Sequence, residues 1–513
     1  MFASVCGMSV EGLTAQSVRV EVDISNGLPA FDIVGLASIA VKEAKNRVRS
    51  ALKNSGFQFP LQRITVNLAP ADLRKEGSGL DLPIAVGVLA AMKEIDDSVL
   101  KKYVFVGELS LEGFLRSVPG VLTMAVGMKN SQAEWTQSEK PVLIVPAENL
   151  AEARLVPELE SASVLNLSEL VRILKRGGKF SVEPAAKQKS SKDRMPIDWL
   201  DIRGQEQAKR SLEIAAAGGH NLIMVGPPGS GKTMLARAFA GILPPLTPEE
   251  SLEVTQLYGL AGLFQGEGQL ISSRPFRSPH HTATVAGIIG GGQKLRPGEL
   301  SLANHGVLFL DELPEFSREV REALRQPLED RKLLLIRLRG REEFPARVSV
   351  ISAMNPCPCG FLGDQRKPCS CTPQQINHYR GKVSGPLLDR FDLQLEVPRL
   401  SYEELKQREN TETSKTVQER VIKARERQWR RFHSSRTNAE MTGRETKEIC
   451  RLDQIGEALL KKVFDKSYFS ARAHDRILRV ARTIADMAES QEIKVEHLAE
   501  SLQYRALDRE SFG

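Results

Sequence analysis

Eight consecutive residues, Gly226, Pro227, Pro228, Gly229, Ser230, Gly231, Lys232 and Thr233, carry the densest chemistry in this 513-residue chain. Glycines at this spacing let backbone N–H groups turn inward around phosphate oxygens. Lysine at the seventh place reaches the β- and γ-phosphates, and the hydroxyl at the eighth ligates Mg²⁺. The run 221–225 before them predicts a buried strand. The stretch 233–242 after them predicts a helix whose positive N-terminus faces the same anion. ATP with Mg²⁺ is the expected ligand.

Two more strand tips supply what hydrolysis needs. Val307-Leu308-Phe309-Leu310 ends in Asp311 and Glu312. One carboxylate holds the metal, and the next orients and deprotonates the attacking water. The strand 348–353 leads to Asn355, which either positions that water and the γ-phosphate or starts a plain turn before Pro356. In SGPLLDRFD (384–392), Arg390 is placed to stabilise charge on a neighbouring subunit's γ-phosphate, or else pairs with Asp389 or Asp392. Arg472, in a helix opened by Ser470, would report nucleotide state to a C-terminal lid.

Cys357, Cys359, Cys369 and Cys371 form C-x-C-x9-C-x-C. Four thiolates this close can shut a tetrahedral, structural Zn²⁺ site with no open position; the alternative is a reduced loop without metal. Such a site would brace the segment after Asn355. His280 and His281 lack partners at metal spacing and read as polar insert residues. Cys6 and Cys450 read as isolated thiols.

These residues need a scaffold. Strands over 17–22, 63–68, 103–109 and 141–145, with helices over 40–55 and 80–95, make residues 1–176 an α/β domain. Residues 177–195, rich in Lys, Ser and Pro, form an exposed linker. Residues 196–400 hold the P-loop α/β domain and the cysteine loop, and 401–513 read as a helical lid. The apolar fraction of 41% suits ordinary cores. A net charge of +7 permits nucleic-acid binding without proving it. The longest apolar stretch, 82–92, is too short to span a bilayer, so no membrane partner is expected. The first ten residues lack a cationic lead, which argues against a secretory signal. Clustered cysteines fit a reducing, cytoplasmic setting better than a disulfide framework.

Taken together, these residues resemble the AAA+ ATPases, with Walker A at 226–233, Walker B at 307–312, sensor 1 at Asn355, the arginine finger at Arg390 and sensor 2 at Arg472. RPFRSPHHTATVAGIIGGG (274–292), GVLFLDELPEF (306–316) and MNPCPCG (354–360) resemble the bacterial ComM/YifB family, on the magnesium-chelatase-like branch. That resemblance covers essentially the whole chain. It implies a homohexameric ring working on recombination intermediates, including incoming DNA in natural transformation, beside recombination proteins. KEGSGLDLPIA (75–85) and VFVGELSLEGFLRSVPG (104–120) are similar to the Lon-type protease domain. There the nucleophile position falls at Gly79, with Ser78 one residue early, and the lysine position near Leu122. The resemblance therefore implies a catalytically inactive Lon-protease-like domain.

RKLLLIRLRGREEFPAR (331–347) predicts a β-hairpin with Gly340 at its tip. Arg337, Arg339 and Arg341 alternate with Ile336 and Leu338, which puts the arginines on one face. Alone this is a solvated edge hairpin. In a motor ring, where related motors insert a hairpin into the pore, the arginines would grip DNA phosphates without reading sequence. Residues 274–277 and 286–292 suggest a second pore element. Residues 415–436, with Arg420, Lys423, Arg427 and Arg430 at helical spacing, are either a solvated face or a secondary DNA contact. The leading expectation is an ATP-driven DNA helicase or branch-migration translocase. The alternative is a chelatase-like ATPase that remodels a protein partner. The missing dyad disfavours a protease, and the lack of a GAFTGA loop disfavours a transcriptional activator.

Overall fold

The computed structural model describes residues 1–71, 75, 77–131, 141–156, 159–177, 179–180, 197–264, 268–292, 295–337, 340–364, 366–402, 404, 412–466 and 470–505. Most of the expected linker thus lies outside the described residues. The chain groups into two compact units. One holds residues 1–191, 251–271 and 338–343; the other holds 192–250, 272–337 and 344–513.

In the first unit, β1 (Phe2–Glu11) and β2 (Thr14–Ser25) pair antiparallel from Phe2 opposite Asp23 to Glu11 opposite Thr14. Alternation in β2 buries Val18, Val20, Val22 and Ile24 on one face. With β3 (Ala30–Val34), β4 (Arg63–Ala69), β5 (Tyr103–Phe105), β6 (Val142–Pro146) and β7 (Ser161–Val164), the sheet runs β3-β4-β2-β1-β5-β6-β7. The apolar helix expected over 80–95 spans Asp81–Ala91 and is buried along its whole length. Gly87 makes this packing possible, since a Cβ there would stand 2.7 Å from Val22 Cγ2. The helix stops because Lys93 turns left-handed at φ +61°. Residues 251–271 belong to this unit: Leu252, Phe264 and Leu270 pack against the cluster of Met8, Val104 and Val121.

In the second unit, β8 (Leu222–Val225), β9 (Phe276–Arg277), β10 (Val307–Leu310), β13 (Ser349–Met354) and β14 (Leu393–Glu396) form a parallel sheet ordered β9-β10-β13-β8-β14. Its central strands are continuous apolar runs because helices cover both faces. Between β10 and β13 in the chain come β11 (Lys332–Arg337) and β12 (Gly340–Pro345), which make a two-stranded sheet; residues 340–343 of β12 group with the first unit. The hairpin is therefore present, but Gly340 opens the returning strand instead of forming the tip. Helices Ser414–Phe432, Gly443–Ile449, Gln454–Lys466, Ala471–Met487 and Val495–Gln503 make the C-terminal region helical. Val417, Val421, Val480 and Ile484 join the core of the sheet.

A buried polar hub pins these helices to the sheet. Asp392 accepts from His220 Nδ1 at 3.2 Å, the Asn221 N–H at 3.3 Å and Arg476 Nη1 at 3.0 Å. Burial by itself raises the Asp392 pKa, but Arg476 and the His220 hydrogen bond outweigh it and hold the carboxyl well below its usual range.

Candidate nucleotide-hydrolysis site

The phosphate loop leaves β8 at Val225 and enters the helix Lys232–Ile242. Gly229 and Gly231 take φ of +78° and +91°, which only glycine adopts at no steric cost. Gly226 has no room for a Cβ, which would sit 2.2 Å from the Val397 carbonyl oxygen. Lys232 Nζ donates to the carbonyls of Gly226 at 2.6 Å and Pro227 at 2.9 Å, and lies 3.5 Å from Asn355 Oδ1. Burial pulls Lys232 down to about 8, against the opposing pull of Asp311 and Glu312. The buried Ser230 hydroxyl has no hydrogen-bond partner among the described residues. A lysine turned into its own loop and a buried hydroxyl without a partner are groups that a polyanion would engage.

Strand order brings the remaining groups to this loop. β13 lies between β10 and β8, with Leu310 opposite Ser352 and Val225 opposite Met354. Asp311, Glu312 and Asn355 thus emerge beside the phosphate loop at the carboxyl ends of the strands. Thr233 Oγ1 donates to Asp311 Oδ2 at 3.1 Å, and Asp311 Oδ1 accepts the Glu312 N–H at 3.0 Å. This hydroxyl–carboxylate pair is the donor set that a Mg²⁺ ion takes in such sites. Glu312 is left-handed at φ +53° and lines a cavity of about 600 Å³ with Glu315, Asn355, Gln375, His378 and Lys382.

His281 Nδ1 stands 3.4 Å from Glu312 Oε2, and the His280 and His281 rings lie tilted by 33° with centroids 4.1 Å apart. The sequence reads both histidines as polar insert residues without partners at metal spacing. Nothing in their spacing signals a partner 31 positions away; the pairing of β9 with β10 creates it.

Arg390 is buried and bonds neither Asp389 nor Asp392. It pairs with Glu329 and donates to the Arg325 and Pro386 carbonyls at 3.3 and 3.4 Å. Arg472, exposed, lies 3.9 Å from the other oxygen of Glu329. One carboxylate therefore faces both arginines.

The cysteine loop converges as its spacing predicts. Sγ atoms of Cys357, Cys359 and Cys369 lie 3.4 to 3.7 Å apart, and all four ligand atoms fall within 4.8 Å of one another. Tetrahedral Zn–S bonds of about 2.3 Å imply S···S near 3.8 Å, so the set fits a metal far better than a disulfide. N–H groups of Phe361 and Ser370 hold the Cys359 thiol down at about 5. The loop abuts the phosphate loop. A Cβ on Gly360 would stand 2.8 Å from Pro228 Cδ, and Arg399 spans the Pro228 carbonyl at 3.1 Å and Asp364 at 3.3 Å.

Several basic residues prove to be spent internally. Arg274 is held by Glu250 and by the Pro245 and His305 carbonyls, and Arg277 by both oxygens of Glu299 at 2.6 Å. Residues 274–277 therefore offer no free charge for a second pore element. In 415–436, Arg420 pairs with Glu213 and Glu412, Arg425 donates to the Ala216 carbonyl, and Arg427 and Arg431 meet Glu489 and Asp486. Lys415, Lys423 and Arg430 stay exposed. On the hairpin, Arg341 is exposed. Arg339 and the Arg337 side chain lie outside the described residues. Leu334 and Ile336 are exposed too, an apolar contribution the alternation of arginines did not announce.

In the first unit, the Ser78 hydroxyl donates to Glu108, and the fully buried Lys75 ammonium donates to the Pro70 carbonyl. Leu122 is a core residue whose N–H donates to Glu152 at 2.9 Å.

Three family models match this chain. "Magnesium chelatase, subunit ChlI" covers residues 198–405, "Subunit ChlI of Mg-chelatase" covers 20–149, and "Magnesium chelatase, subunit ChlI C-terminal" covers 411–505. Protein YifB of Salmonella typhimurium is 45% identical over 502 residues, 97% of this chain and 96% of its own length. Competence protein ComM of Haemophilus influenzae is 44% identical over 505 residues, with coverage of 97% and 96%. YifB of Escherichia coli is 43% identical over 500 residues, again covering 97% and 96%. Among the described residues, no helix is long and apolar enough to cross a membrane.

Proposed function

The chain belongs to the ComM/YifB family of magnesium-chelatase-like AAA+ ATPases, and we propose that it is an ATP-driven hexameric DNA motor. Its work would be unwinding or branch migration on recombination intermediates, including DNA taken up during competence. The observation that carries the reading is the convergence of Lys232, Thr233, Asp311, Glu312 and Asn355 at adjoining strand ends. The competence name of the Haemophilus relative and the basic hairpin supply the DNA part.

Each residue then has a task. The loop 226–231 surrounds the phosphates with N–H groups, and Lys232 trades its carbonyl contacts for phosphate oxygens. Thr233 and Asp311 would hold Mg²⁺, which when bound supplies charge neutralisation at the β- and γ-phosphates. Glu312 takes the proton of the attacking water, and Asn355 orients that water. Arg390 exchanges Glu329 for the phosphate charge of a neighbouring subunit, and Arg472 reports nucleotide state to the helical lid. Cys357, Cys359, Cys369 and Cys371 hold structural zinc. Arg337, Arg339 and Arg341 grip the DNA backbone.

The test is ATPase activity and movement of a labelled four-way junction, with Lys232→Ala and Arg341→Ala. DNA should stimulate hydrolysis, and stimulation should fall steeply with salt. Lys232→Ala should abolish both activities, whereas Arg341→Ala should stop movement and spare basal hydrolysis. Hydrolysis indifferent to every DNA form at low salt refutes the reading. That outcome would support remodelling of a protein partner, which the exposed Leu334 and Ile336 on the hairpin favour.

A further inference from the structure

We infer that the exposed face of the helix Ile39–Asn54, in the first unit, binds the sugar-phosphate backbone of DNA through Lys42, Lys45, Arg49 and Lys53. The inference rests on the DNA-motor reading and adds to it a contact outside the ATP-binding unit. The helix starts at Ser38, whose hydroxyl accepts the Val41 N–H. Val41, Ala44, Val48, Ala51 and Leu52 are buried and seat one face in the core of that unit. Lys42, Lys45, Arg49 and Lys53 are exposed. Steps of three, four and four residues put these side chains in one row, within an arc of about 80° at about 100° per residue. Arg47, the remaining cation before Lys53, lies off the row and is spent on buried Asp81, to which its Nε and Nη2 donate at 2.6 and 2.9 Å.

The row is uncompensated. Among the described residues, none of its four cations makes an ion pair. Glu43, the acidic side chain of the helix, lies off the row, where its charge acts on Arg47. The chain that follows, SGFQFPLQ (55–62), has no acid, and beyond it Asp32 is taken by Arg63 at 3.5 Å. Arg49 stands 5.5 Å from the centroid of the Phe59 ring, and Phe59 packs on Phe31 with centroids 5.8 Å apart. A guanidinium laid on a ring keeps its N–H edge for phosphate oxygens. Like charges three and four residues apart weaken a helix, whereas an anion lying along them binds it. From Lys42 to Lys53 the row runs about 16 Å. One strand of a duplex presents a phosphate about every 3.4 Å of axis, so the row matches about five of them. Such contacts hold the backbone without reading bases. Residues 415–436 are the contrast, since Arg420, Arg427 and Arg431 there already meet carboxylates.

The experiment measures binding of a labelled duplex to the full-length chain across a salt series. Wild type is compared with a variant combining Lys42→Gln, Lys45→Gln, Arg49→Gln and Lys53→Gln. A control variant removes the same charge from the helical region, by Lys447→Gln, Arg451→Gln, Lys461→Gln and Lys462→Gln. Each lost phosphate contact lowers the slope of log K against log salt by about 0.9. The helix variant should therefore have a slope shallower by about 3 or more, and bind at least about tenfold more weakly at 0.1 M salt. Its DNA-free ATPase and melting temperature should equal those of wild type, and the control should bind DNA as wild type does. An unchanged slope in the helix variant, or the same loss in both variants, overturns the inference and leaves the motor reading standing. If wild type binds no DNA at low salt, the motor reading falls and takes the inference with it. Vesicles of phosphatidylglycerol and phosphatidylcholine form the last arm. If the helix variant loses vesicle binding and keeps the wild-type DNA slope, the row serves a lipid surface and the inference is overturned.

Discussion

Asp392→Asn is the sharpest probe of how the helical region is held against the ATP-binding sheet. One carboxylate oxygen serves Arg476, and the other serves both His220 and the Asn221 N–H. An asparagine fits the same space but accepts through one oxygen only. Its amide nitrogen must face either the guanidinium or the backbone donor. Removing one member of a buried, hydrogen-bonded pair costs about 3–5 kcal/mol. At about 2–4 °C per kcal/mol for a large domain, the melting transition should fall by about 6–20 °C. Because the folded Asp392 is held low, its stabilisation is complete above the unfolded carboxylate value. The gap between wild type and variant should therefore be constant from about pH 5 upward and shrink below about pH 4. Calorimetry over this range, with Arg476→Met and the double variant, completes the cycle. The double variant should lose less than the sum of the singles, because neither partner is left alone. The ATPase should fall as well, since Arg472 lies four residues before Arg476 on the helix Ala471–Met487. A fall of less than about 2 °C, or strict additivity, would refute the reasoning.

Three other outcomes follow from the site. Lys232 is held at about 8 in the open loop, so phosphate binding, which favours the charged ammonium, should draw in a proton at pH 8.5. Calorimetry in two buffers of different ionisation enthalpy should detect that proton; equal heats in both would contradict the burial argument. Purified protein should carry one zinc per chain by elemental analysis, and Cys359→Ser should lose it. Gly360→Ala should weaken nucleotide binding about five- to thirtyfold, the equivalent of about 1–2 kcal/mol, because its methyl meets Pro228. Gly363→Ala is the control: it shares the left-handed strain at φ +77° but meets nothing within 4 Å, so it should leave nucleotide affinity intact.

Much of the candidate hydrolysis site was legible in the sequence because its parts are local. Positions 226–233 form one loop, Asp311 and Glu312 one strand tip, and the four cysteines one short loop. For such groups, chain spacing almost is geometry. The period-two and apolar runs likewise marked β2, β4, β8, β10 and β13, since the pleat and double-sided burial write themselves into residue order. The edge strand β9, two residues long, carried no comparable signal.

Tertiary structure alone decided who meets whom across distance. A count of charge cannot say which charges are already neutralised. Arg274, Arg277, Arg420 and Arg425 add to the basic total, yet each is used by a carboxylate or carbonyl from another segment. The same holds for His281 at Glu312, Gly360 under Pro228 and Arg390 on Glu329. Residues 251–271 leave the ATP-binding unit to complete the core of the other for the same reason. Bonding groups in contiguous loops are placed by covalent geometry, which sequence specifies directly. Contacts between distant segments depend on strand order and helix packing, which come from burying all the apolar surface at once.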